Sequence, residues 1–274
     1  VDLQARQEAL LAEARGRLEA DPEDVDAWIW VGRRTAYLGR YREAVAIFSD
    51  GLDRFPSSAE LLRHRGHRYI TLRQIDAAIA DLERAAELRQ GLDDVVEPDG
   101  LPNAAGIPTS TLHTNIAYHL GLARYLAGDF EGARAAYRWC WEISGNPDMK
   151  SASGYWLYLI LRRLGRDAEA AELARSIDDG WELLENHDYH RLLLAFRAGD
   201  GADDLLADAR QGSQLAGSTI GYGVGAWHLV EGRAERANEI FREVTATAGW
   251  AAFGYIAAEA ELARLRFPSA SATH

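Results

Sequence analysis

Lysine is all but missing from this 274-residue chain: of 30 Lys and Arg together, only Lys150 is lysine. That bias matches the codon usage of a GC-rich genome and by itself assigns no role. Cysteine is as scarce. The single Cys140 excludes an intramolecular disulfide, and its place between Trp139 and Trp141 reads as a packed small apolar residue rather than a reactive thiol. No apolar run approaches the roughly 18 residues that a membrane span needs. Net positive charge is absent too: the formal charge is −12, the opposite of the basic footprint of a nucleic-acid binder.

Catalytic and metal signatures are also missing. There is no HExxH, no cysteine cluster and no GxSxG nucleophile turn. Gly221-x-Gly223-x-Gly225 follows no strand and lacks the Lys-Ser/Thr of a phosphate loop, so it reads as close helix approach. The pairs His64/His67 and His187/His190 have i, i+3 spacing, but His187 is expected to face away from the groove. No catalytic residue, metal ligand or cofactor is assigned.

What the chain has is a match to itself at about 34 residues. Trp28, Gly32, Gly39, Ala44, Phe48, Gly51 and Pro56 set a frame, which returns as Leu62, Gly66, Tyr69, Ala78, Leu82 and Ala85. A third copy reads Ala117, Gly121, Gly128, Ala133, Tyr137 and Cys140. Each unit reads as helix–turn–helix. The first places helix A over roughly 25–38 and helix B over roughly 41–54, with Gly39 in the turn. Asp21-Pro22 and Phe55-Pro56 stop the preceding helices, because proline lacks the N–H and disfavours helix before it.

Those residues resemble the tetratricopeptide repeat family, and the stretch around the 93–113 insertion is similar to a bacterial subgroup of it. The resemblance implies an all-α solenoid of about six repeats in one domain, 1–274. Repeats one and two fill 25–92 and repeats three to six fill 114–250. Gly165, Gly199 and Gly232 anchor the later repeats, and Asp204 departs from the small-residue pattern. A helix at 3–20 and another at 250–266 cap the ends, since an end repeat would otherwise expose its stacking face. A flexible tail is expected at 267–274.

The resemblance also implies a concave groove lined by positions two, five, six, nine and twelve of each helix A. These positions carry Trp30, Arg33, Arg63, His64, His67, Asn115, Tyr118, His119, Tyr155, Trp156, Arg162, Asn186, Tyr189, His190 and Tyr222. Four tyrosines at position five in successive repeats have two readings: ring packing on the neighbouring helix, or flat contact area for a ligand. Only Asn115 retains a residue type recurrent in the family's carboxylate clamps, and no lysine joins it.

The insertion at 93–113 carries three prolines, the acidic Asp93, Asp94, Glu97 and Asp99, and the apolar Val95, Val96, Leu101 and Ile107. Its turns and apolar anchors predict ordered packing, and Thr109, Ser110 and Thr111 offer N-cap oxygens for the next helix. Arginines gather nearby at 33, 34, 63, 65, 68 and 73. They suit either an external carboxylate or phosphate or the acidic insertion folded back on them. Two functions therefore stand open. One is a non-enzymatic scaffold that holds a peptide or partner-protein segment in the groove. The other is a closed small-molecule pocket, with the insertion as lid and possible chemistry by His64, His119 or His190. The first residue is Val1, so a cytoplasmic chain and a processed, periplasmic one are both consistent. Oligomeric state is open.

Overall fold

Proline and glycine punctuate fourteen helices in the computed structural model, which describes residues 3–211 and 214–266. A first helix, α1 (Leu3–Ala20), precedes two hairpins: α2 (Val25–Tyr37) with α3 (Tyr41–Arg54), and α4 (Ala59–Thr71) with α5 (Ile75–Arg89). Then follow α6 (Leu112–Ala127), α7 (Phe130–Ile143), α8 (Pro147–Arg163), α9 (Asp167–Arg175), α10 (His187–Ala198) and α11 (Ala202–Ala209). The last are α12 (Gln214–Val230), α13 (Ala234–Thr245) and α14 (Phe253–Arg266). The architecture is an all-α helical repeat. No described helix is long and apolar enough to cross a membrane. The tail expected at 267–274 lies outside the described residues.

Local chemistry sets the ends of these helices. Asp24 caps α2 through Asp26 N, Ser58 caps α4 through Leu61 N, and Thr111 with Thr114 closes a capping box on α6. Five of the six A–B turns use a glycine at positive φ: Gly39, Gly128, Gly165, Gly199 and Gly232. The second repeat puts Arg73 there instead, at φ 61°, a conformation that costs a non-glycine residue about 1–2 kcal/mol. Inside the first hairpin, a Cβ on Gly32 would overlap the Phe48 ring, so glycine is what lets α2 and α3 close together.

The helices gather into two compact units, one ending at Gly128 and the other starting at Asp129, so the boundary falls inside the third repeat. In the first unit the A helices lie side by side, with α4 touching both α2 and α6. In the second, α8, α10 and α12 are mutual neighbours, and α14 packs on α12 and α13. Glu261 of α14 is buried and pairs with Arg163 at 2.9 Å and Arg264 at 3.0 Å.

The insertion is built into the first unit. Val96 bridges Thr111 antiparallel; Glu97 N donates to Ser110 O at 3.2 Å, and Leu112 N to Val95 O at 2.9 Å. Asp94 Oδ1 accepts from His113 N at 3.0 Å, while the Asn103 side chain ties off the tip through Ile107 O at 2.8 Å. The result is a strap tied down at both ends and at its tip.

Candidate functional site

Eight of the predicted residues converge in the first unit. Trp30 and Arg33 come from α2, Arg63, His64 and His67 from α4, and Asn115, Tyr118 and His119 from α6. The insertion lies on them. Glu97 reaches Arg63 Nη2 at 3.0 Å and His64 Nε2 at 3.4 Å, and its other oxygen accepts from Asn115 Nδ2 at 3.1 Å. Arg33 donates to Pro98 O at 2.7 Å and Arg34 to Gly100 O at 2.9 Å. Gly100 sits so close to the Tyr37 hydroxyl that any side chain there would collide with it. The strap thus presents one carboxylate and two carbonyls to four guanidinium, imidazole and amide donors and a further arginine.

Hydrogen bonds fix the imidazole tautomers. Arg63 Nη1 must donate to His64 Nδ1, 2.8 Å away, which leaves the His64 proton on Nε2 toward Glu97. His119 Nδ1 donates to Asn115 O at 2.6 Å. His67 and His119 stack at a tilt, ring centroids 4.3 Å apart, and His64 lies on Phe48 at 5.7 Å. Burial, then the neighbouring arginines, push His64, His67 and His119 well below the usual imidazole range, so all three are neutral at pH 7. Burial likewise lowers Arg63, and brings Arg68 down to about 10.

Sequence reasoning named the arginine cluster but not which members meet. Arg65 turns away, into a bidentate pair with Asp81 at 2.7 and 2.8 Å. Arg68 and Tyr37 join the site. Arg33 and Arg34 stack on Trp30, at 4.4 and 4.8 Å from its centroid.

A structure of a tetratricopeptide repeat protein from Parabacteroides merdae is similar at a TM-score of 0.52 and 12% identity, over 92% of each chain. This chain has the tetratricopeptide repeat fold. Two further solved structures are similar at lower scores. One is YrrB, described as a TPR protein with an unusual peptide-binding site (0.49, 14% identity, 87% of this chain and 95% of that one). The other is MamA (0.46, 14%, 92% and 100%). No protein-family model and no curated protein matches the sequence.

In the second group of tetratricopeptide helices the predicted residues take another course. Tyr155, Trp156 and Tyr222 are each at most 1% exposed. Tyr155 meets Trp156 edge-on at 5.2 Å and Tyr189 at 4.8 Å, and Tyr222 meets Trp156 at 5.5 Å and stacks on Phe241 at 5.7 Å. The position-five stripe is packing here: successive A helices touch through these rings. His190 Nε2 donates to Asp178 O at 2.9 Å, and its ring stacks on Trp181. Arg162 joins Tyr158 Oη, Asp167 and Glu231. Asn186 starts α10, and its N–H, with those of Leu184 and Glu185, donates to the buried carboxylate of Asp148 at 2.9–3.2 Å. Among the described residues, no three His, Cys, Asp or Glu side chains converge as a metal set.

Proposed function

We propose that this protein is a binding scaffold whose first unit holds an extended, acidic segment of a partner protein, and that the insertion is its resident occupant. The observation that carries this reading is the way Glu97, Pro98 and Gly100 are held. A side-chain carboxylate enters the Arg63, His64 and Asn115 donors, while flanking backbone carbonyls take Arg33 and Arg34. Those are the contacts an extended peptide makes in a groove: charge-assisted bonds to one anchor, backbone bonds along the strand. Val95, Val96, Leu101 and Ile107, expected as apolar anchors of the insertion, are instead exposed, and they add apolar surface that a partner can cover.

The test uses the full chain carrying Glu97→Gln, which weakens the resident occupant, and a labelled peptide copying residues 92–102. Fluorescence anisotropy should show the peptide binding E97Q, and binding wild-type protein more weakly. A peptide with Gln in place of its Glu should lose about tenfold in affinity, the scale of one charged hydrogen bond. Equal binding of the two peptides, or none by either, removes the reading.

A further inference from the structure

A recess bounded by α2, α3 and α4, beside the strap, is lined by three arginines, of which Glu97 of the strap pairs with one. Its volume is about 110 Å³; Arg33, Arg63, Arg68 and His67 face it, with Ala36 and Phe48 as apolar wall. Glu97 answers Arg63 alone among these arginines. The Arg33 donors go to neutral acceptors, the Tyr37 hydroxyl at 3.3 Å and Pro98 O at 2.7 Å. Arg68 meets only the face of Tyr41, at 5.6 Å, and has no carboxylate in ion-pair range among the described residues. The fully buried Nε of Arg63 has no acceptor either. Two uncompensated guanidinium groups and an orphaned donor thus line one small space.

Leaving cations in that state is expensive, because a buried charge without a counter-charge loses its hydration for nothing. The neighbouring imidazoles are neutral, so they add hydrogen-bonding groups without adding charge. An excess of two positive charges over one compact volume matches an anion that carries two charges on one centre. Arginine forks are suited to phosphate oxygens, which they meet two at a time. The volume is several times that of a single water, enough for one such group.

We propose that this recess binds a small doubly charged phosphate, free or as the head of a small monoester, through Arg33, Arg63 and Arg68. The site shares Arg33 and Arg63 with the strap contacts, whereas Arg68 makes no contact with the strap and belongs to the recess.

The experiment is thermal unfolding of the full chain in a zwitterionic, phosphate-free buffer at constant ionic strength, titrated with inorganic phosphate, glycerol phosphate or succinate. Equilibrium dialysis of inorganic phosphate gives the stoichiometry. Wild type should show a saturable rise in Tm with phosphate and one site per chain. The exposed-surface control Arg84→Gln should behave the same. Arg68→Gln should fold with unchanged or higher Tm, since it removes an uncompensated cation, and should bind phosphate at least about tenfold more weakly. Tighter binding of glycerol phosphate assigns the ligand as a monoester, and tighter binding of inorganic phosphate assigns the free ion. Absence of a saturable response and of dialysis binding in wild type overturns the proposal. So does an undiminished response in R68Q, or succinate binding as tightly as phosphate. If R68Q fails to fold, Arg68→Lys carries the same comparison, keeping the charge and losing the fork.

Discussion

At Cys140 burial alone sets the chemistry. The thiol is fully enclosed and pushed up to about 12, with weak opposing help from Ser144 and Ser153. At pH 8 roughly one molecule in ten thousand would carry a thiolate. Native protein should therefore give no reaction with an aromatic disulfide reagent, and one equivalent once denaturant is added; a prompt native reaction would contradict the packing. The residue's neighbours made this legible, because a small side chain between two tryptophans on a helix has few places to go but inward. Tyr155, Trp156 and Tyr222 show what was not legible at this scale. Their places in the repeat put Tyr155 and Tyr222 at equivalent positions of two A helices, yet a position turned to a ligand and one turned to the next helix recur with the same period. Here the rings meet one another, and only three-dimensional neighbours decide that.

At the scale of elements, the strap and its clamp form one device. Breaking a buried ion pair by removing one partner typically costs about 3–5 kcal/mol, because the remaining charge stays buried. Glu97 and Arg63 are such a pair, each side chain about a tenth exposed. Glu97→Gln should therefore loosen 94–111 without unfolding the helices. Limited thermolysis should show it, with cleavage before Val95, Val96, Leu101 or Ile107 at least tenfold faster than in wild type and far-UV circular dichroism unchanged. Unaltered cleavage would mean that the strap is held by its backbone bonds to Ser110 and Val95 instead. Helix boundaries were readable because glycine, proline and cap residues punctuate them. The complement between an acidic insertion and an arginine cluster was readable too. Which carboxylate meets which guanidinium was not, since an aperiodic loop carries no register.

Over the whole chain the formal charge is −12, yet the first unit gathers buried arginines and neutral imidazoles. His64, His67 and His119 all titrate below their unfolded value. The unfolded chain therefore binds more protons than the native one as pH falls through about 6.5, and linkage favours unfolding. Stability from this source is fully present above that pH and is lost progressively toward the lowered native values. Urea unfolding followed by tryptophan fluorescence should show a midpoint that falls between pH 7 and pH 5. His67→Phe should reduce the fall, and a midpoint flat across that range would show that the imidazoles are not buried neutral.

The strap has one more consequence, for how strongly anything else can bind. A segment tied at both ends, between α5 and α6, meets its groove at an effective concentration in the millimolar range. An incoming segment competes against that local excess, so its apparent affinity on the intact chain is lower than its intrinsic one. Under the proposed scaffold reading, partners that are abundant, multivalent or anchored elsewhere on the protein are favoured over a scarce lone peptide.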